Sequence, residues 1–147
     1  MLVKDGGPTL SAGALARRLE RVRGANPGVT SIGAQRVYLV ELEAPLDEAA
    51  AAVLDELLAY VGPAQDAPST GLSLWVVPRI GTHSPWSSKA TDIARVAGLA
   101  QLERLEHGVR YVVQGEVHDR AALEAELHDR MTESVIDTED DLARLLR

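Results

Sequence analysis

One order of elements occurs twice in this chain, and that duplication limits its folding more than any single motif. From the N-terminus the sequence reads as a short apolar strand, Met1–Lys4, a break at Gly6-Gly7-Pro8, and a helix opening at Ser11. A long apolar strand, Val29–Glu43, and a helix opening at Asp47 follow. From Leu72 the order starts again: strand Leu72–Val77, a Pro-containing loop, a helix opening at Ser84 or Ser87, an extended pair, and a helix opening at Asp119. Leu15, Leu19 and Val22 recur at helical spacing. Ala50, Val53, Leu54, Leu57, Leu58 and Val61 form a wider apolar stripe. Ser and Asp at the openings can accept from the free N–H groups of a first helical turn.

The third helix is expected over about Ser87–Ala97, with Ala90, Ile93, Ala94 and Ala97 on one face and Gly98 as its stop. Leu102–Leu105 and Val109–Gln114 read as a hairpin turning at Glu106-His107-Gly108, which puts His107 at a tip. Leu123, Leu127 and Met131 define the inner face of the fourth helix, and Val135-Ile136 a short strand. Gly33 suggests a bend in the second strand. Matching the halves pairs Ser11 with Ser84 or Ser87, Arg36-Val37-Tyr38 with Arg110-Tyr111-Val112, and Asp47 with Asp119. The expectation is one α+β domain over 1–147, built from halves of about 1–71 and 72–138. Each half would be a split βαβ unit of the ferredoxin-like kind, and together a pseudo-dimer. Residues 139–147 would begin a linker helix.

Composition excludes several functions. With no Cys there is no disulfide, thiolate metal site or Cys nucleophile in these residues. A net charge of -7 argues against a nucleic-acid surface, which needs clustered positive charge. No apolar run reaches membrane-spanning length, and the start MLVKDGGP lacks the apolar core of a signal peptide. A cytoplasmic protein without nucleic-acid or membrane partners is expected.

The run PRIGTHSPWSSKATDIA, Pro78–Ala94, is too particular for a plain connection. It carries hydroxyls at Thr82, Ser84, Ser87, Ser88 and Thr91, cations at Arg79 and Lys89, and Trp86. Hydroxyls and a cation at a helix N-terminus can hold a phosphate or carboxylate. They equally describe a capped helix under a surface loop, with Lys89 and Asp92 as an i,i+3 pair. Both readings stand on the residues alone. His83, His107, His118 and His128 lack metal-ligand spacing. Phosphate-loop, nucleophile-elbow and dinucleotide motifs are absent. No self-sufficient active site is visible.

At this run the chain resembles the N-terminal domain of the large, single-chain phosphoribosylformylglycinamidine synthases. GGPTLSAGALARRL, APLDEAAAAVLDELLAY, LERLEHGVRYVV and ELHDRMTESV extend the resemblance in order along the chain. Ile80, His83 and Ala97 depart from the family pattern, and His83 is therefore a poor candidate for a shared role. The resemblance implies an ATP-dependent glutamine amidotransferase ligase of purine biosynthesis. Its synthetase part uses ATP and magnesium to activate the amide of formylglycinamide ribonucleotide. Its glutaminase part releases ammonia with a Cys. Both parts, and the ATP and magnesium, would lie outside this chain, which would hold no cofactor, metal or catalytic residue of its own and be inactive alone. It would be similar to a dimer of the small separate subunit of the split enzyme. Its implied role is to bridge glutaminase and synthetase and to help shield ammonia. Arg79, Thr82, Ser84, Trp86, Ser87, Ser88, Lys89, Thr91 and Asp92 would form that contact or line the site. The competing reading is a free-standing anion- or nucleotide-binding regulatory module at the helix N-terminus at Ser87.

Overall fold

The computed structural model describes residues 2–61, 71–79 and 84–142. In chain order the elements are β1 (Leu2–Pro8), α1 (Ala12–Ala25), β2 (Val29–Leu42), α2 (Glu48–Val61) and β3 (Leu72–Pro78). They continue with α3 (Pro85–Val96), β4 (Leu102–Gly115), α4 (Arg120–Leu127), β5 (Glu133–Ile136) and α5 (Glu139–Leu142). The four longer helices start alike. Ser11, Asp47, Ser84 and Asp119 each accept from the backbone N–H three residues on, at 3.1, 2.7, 3.0 and 3.1 Å. Pro85 follows Ser84 as the first residue of α3, where its missing N–H costs nothing.

The strands form one antiparallel sheet in the order β1-β2-β4-β3-β5. The fold is therefore α+β, as expected. The sequence halves do not make separate sheets, however. The long strands β2 and β4 lie side by side at its centre, with β1 and β3 outside them.

One face carries the longer helices, and each helix pair draws one member from either half. Val22 of α1 packs with Leu123 and Leu127 of α4 over Ile32, Leu74, Val76, Tyr111 and Val113. Leu54 and Leu58 of α2 pack with Ala94 of α3 over Tyr38, Val40, Leu102 and Leu105. On the opposite face Val37, Leu39, Trp75 and Val77 pack with Ile136 and Leu142. The alternation of β2 and β4 into two buried faces matches strands covered on both sides.

Several expectations are corrected. The supposed hairpin is one straight strand, β4, paired with β2 along its length, and His107 sits mid-strand opposite Tyr38. Gly108 looked like a turn residue, but it serves close approach. A Cβ there would lie 2.8 Å from both the Val76 carbonyl and Val77 Cγ1 on β3. β1 runs on through Gly6-Gly7-Pro8 with an irregularity, and β2 is irregular near Val29–Ser31 and Glu41–Leu42 instead of at Gly33. Met131 lies past the end of α4 and is 79% exposed. Ile93 is 60% exposed, because α3 turns Ser87, Thr91 and Ala94 inward. Finally, β2 and β4 are centred on the Arg36–Val109 pair. Tyr38 and Tyr111 then occupy equivalent places, both against the helices. The sequence match of Arg36 to Arg110 is one residue out, and in a strand one residue reverses the face. Of the stretch 139–147, expected to begin a linker helix, α5 covers Glu139–Leu142, and residues 143–147 lie outside the described residues.

Candidate functional site

The chemistry of the Pro78–Ala94 run is decided by where α3 meets β4. β3 pairs with β4 only over Val109–Val113, so among the described residues no strand lies beside the β3-side edge of β4 before Gly108. α3 lies there instead. Ser87 Oγ donates to the Leu105 carbonyl at 2.7 Å, and the Leu105 N–H donates to Thr91 Oγ1 at 3.0 Å. Two hydroxyls one helical turn apart thus take the place of a neighbouring strand. Both side chains are buried and committed to this seam.

The N-terminus of α3 already holds an anion. The Glu106 carboxylate is fully buried and accepts from Ser84 Oγ at 2.7 Å and from the Ser84 N–H at 3.4 Å. It also accepts from the His107 N–H and from Arg104 Nη2, each at 3.0 Å. Burial alone would raise its pKa. The bonds from Ser84, the His107 N–H and Arg104 outweigh that and hold it below the usual carboxylate range. The chain's own carboxylate therefore occupies the place beside the helix N-terminus where a bound anion would be expected.

Trp86 projects from the first turn of α3 onto the sheet. Its ring stacks on His107 at 4.0 Å between centroids and 5° between planes, and lies 6.1 Å from Tyr38 at 26°. Burial, reinforced by the charge of Arg36 and opposed by Glu106, lowers the His107 pKa to about 4. The imidazole is neutral at physiological pH. Beside this stack a cavity of about 460 Å³ opens, lined among others by Arg36, Arg79, Ser84, His107 and Glu133.

Of the sequence-predicted residues, Ser84, Trp86, Ser87 and Thr91 come together on the inner side of α3. Arg79, Ser88, Lys89 and Asp92 are exposed. Arg79 extends the strand edge, its N–H donating to the Thr132 carbonyl at 2.9 Å. No salt bridge joins Lys89 to Asp92 among the described residues. Thr82, with Ile80 and His83, lies outside the described residues. Glu106, His107, Arg104, Tyr38 and Arg36 were not found as site residues from sequence. Only LEHG, a carboxylate and an imidazole beside a glycine in an apolar strand, hinted at two of them.

The family model for the N-terminal region of formylglycinamide ribonucleotide amidotransferase matches residues 35–146. The chain belongs to this family. The matched span contains the whole α3–β4 seam, Glu106, His107 and Arg36; the opening stretch GGPTLSAGALARRL precedes it. Membership associates the domain with an amidotransferase of purine biosynthesis, and with the other domains of that larger enzyme. Among the described residues no helix is long and apolar enough to cross a membrane.

Proposed function

We propose that this chain is the non-catalytic docking domain of an ATP-dependent, cytoplasmic phosphoribosylformylglycinamidine synthase, bridging its glutaminase and synthetase parts and helping to shield ammonia in transit. The observation that carries this reading is the family match across residues 35–146. ATP, magnesium and the glutaminase Cys would all act in the partner domains. The two-fold arrangement about Arg36–Val109, with helix pairs drawn from both halves, supports a duplicated origin resembling a dimer of the small separate subunit.

The physical need is clear. Ammonia is mostly protonated in neutral water and then not nucleophilic, so a route that excludes water preserves its reactivity. A bridging domain must offer a rigid body and a surface for its neighbours. The seam of Ser87, Thr91 and Leu105 makes α3 rigid. Its outer side carries Ile93 and Val96, 60% and 90% exposed, beside the exposed Arg79, Ser88, Lys89 and Asp92. Exposed aliphatic side chains rimmed by charge suit an interdomain contact. We assign the docking face to this side of α3.

The competing module, with an anion at the α3 N-terminus near Ser87, draws no support from this geometry. Glu106 fills that position and the Ser87 hydroxyl is spent on Leu105.

Reconstitution tests the proposal. The chain alone should turn over neither glutamine nor formylglycinamide ribonucleotide. Added to an enzyme lacking this domain, it should restore glutamine-dependent amidine formation more than ammonia-dependent formation. Equal rates with and without the chain would end the docking reading.

A further inference from the structure

The cavity beside the Trp86–His107 stack has a cation, Arg36, in its wall that takes part in no salt bridge among the described residues. Arg36 stands at the centre of β2, on the face that carries the helices, opposite Val109. A cation on a largely apolar sheet floor is unusual, because desolvating it is costly unless an anion compensates. Among the described residues Arg36 forms no salt bridge. Its stem and the Tyr38 ring both lie against Gly6, and its side chain lines the same cavity as His107.

The aim of Arg36 is built in. β1 crosses its stem at Gly6, where a Cβ would lie 3.1 Å from Arg36 Cβ and 2.8 Å from the Tyr38 ring. The glycine lets β1 press the stem and the ring together. His107 is held flat by Trp86 and offers a neutral imidazole to the same cavity. Arg79 adds a second cation at the rim, and Val76 and Val109 supply an apolar floor. Glu133 also lines the cavity and disfavours a second anionic group there. The volume, about 460 Å³, lies within the range of small-molecule sites.

We infer that this cavity is a binding site for a small ligand bearing a single oxyanion group, phosphate or carboxylate, anchored on Arg36 with the His107 ring beside it. A planar guanidinium meets either oxyanion with two parallel hydrogen bonds. Ser84 and Pro85 at the start of α3 also line this cavity, but the Ser84 hydroxyl is given to Glu106, so the anchor is Arg36; the inference does not depend on the docking role.

The test is a titration of the full chain with inorganic phosphate, ribose 5-phosphate and glutamate, at constant ionic strength with chloride as control. The His107 ring and Trp86 indole resonances are followed by NMR. At least one of the three should give saturable shifts centred on Arg36, His107 and Trp86. Arg36→Met should weaken that binding tenfold or more, with exposed Glu56→Gln on α2 as an unaffected control. Saturation by phosphate and ribose 5-phosphate identifies a phosphate site, and saturation by glutamate a carboxylate site. Shifts no different from those of chloride, or centred elsewhere, overturn the inference, as does equal binding by a folded Arg36→Met. If Arg36→Met does not fold, the location of the shifts in the unsubstituted chain decides.

Discussion

α1 and α3 have corresponding places in the order of elements, each following a short strand and preceding a long one, yet they are held to the sheet differently. Each is opened by a serine that accepts from the N–H three residues on. Counting from those serines, the fourth, eighth and eleventh residues of α1 are Leu15, Leu19 and Val22, packed into the core shared with α4. The same positions in α3 are Ser88, Asp92 and Arg95, all exposed. The third and seventh are Ala14 and Arg18 in α1 but Ser87 and Thr91 in α3, the two hydroxyls sewn to Leu105. Outward, the ninth and twelfth are Glu20 and Arg23 in α1 but Ile93 and Val96 in α3. One helix is held by apolar packing and shows charge to water. The other is held by hydrogen bonds together with Trp86, Ala90 and Ala94, and shows aliphatic surface. That inversion is what a helix tied to a strand edge and turned toward a partner would look like.

The comparison breaks most visibly at Glu106. Arg104 is paired with Glu106 in a buried setting, and among the described residues no carboxylate accepts from Ser11 as Glu106 does from Ser84. Glu106→Ala removes the buried carboxylate to which Arg104 Nη2 and Ser84 Oγ both donate and should cost about 3–5 kcal/mol, read as a fall in the urea midpoint. A loss no greater than that of an exposed carboxylate such as Glu126→Ala would show that the network does not hold α3 in place.

Acid should reach the same network next. The His107 pKa is lowered to about 4 in the fold, against about 6.5 unfolded. Between those values the unfolded chain binds the extra proton. The stabilisation is therefore whole above pH ~6.5 and is lost as pH falls toward 4, by up to about 3 kcal/mol. Glu106, also lowered, adds a loss of the same sign below its unfolded pKa. His107→Phe keeps an aromatic ring against Trp86 without the titration. Its melting temperature should stay level from pH 6.5 to 5 while that of the unsubstituted chain declines. Parallel declines would assign the acid sensitivity elsewhere.

The two serines give a smaller and sharper contrast. Ser11→Ala removes a helix cap and should cost about 1 kcal/mol. Ser84→Ala removes the cap and also the 2.7 Å bond to buried Glu106, and should cost about 2–3 kcal/mol. Equal losses at the two positions would mean that the hydroxyl–carboxylate bond adds nothing to α3.

Ser11, Asp47 and Asp119 were legible as caps because capping is local: the side chain serves an N–H three residues away. The long β2 was legible because apolar residues fill both of its faces. Met131 and Ile93 misled because helical spacing cannot show where α4 ends, or that α3 turns hydroxyls inward. Polar residues on a buried face look like surface until the strand edge they serve is known. Glu106-His107-Gly108 imitated a turn, since nothing local reveals that β3 must approach Gly108 closely. In the candidate site the Pro78–Ala94 run announced itself by composition. Its partners on β2 and β4 did not, because Arg36, Tyr38 and His107 meet through sheet register, which a one-residue slip in matching the halves was enough to hide.

The least effect on stability belongs to the residues with the most to say about docking. Ile93 and Val96 face solvent, so Ile93→Glu with Val96→Glu should change the stability of the isolated chain by no more than about 0.5 kcal/mol per site. The charges of Glu20 and Arg23 show that the equivalent face of α1 tolerates such groups. In the complete enzyme the same pair should lower glutamine-dependent synthesis and raise the share of glutamine hydrolysed without amidine formation, since a poorly seated domain leaks ammonia to water. Placing Ile and Val at Glu20 and Arg23 instead should leave coupling unchanged. If the glutamates on α3 leave coupling intact, its aliphatic face is mere exposed surface and the inversion between the helices has another cause. If both pairs of substitutions disturb coupling alike, the two helices contact neighbours equally and the difference between them lies only in how each is held to the sheet.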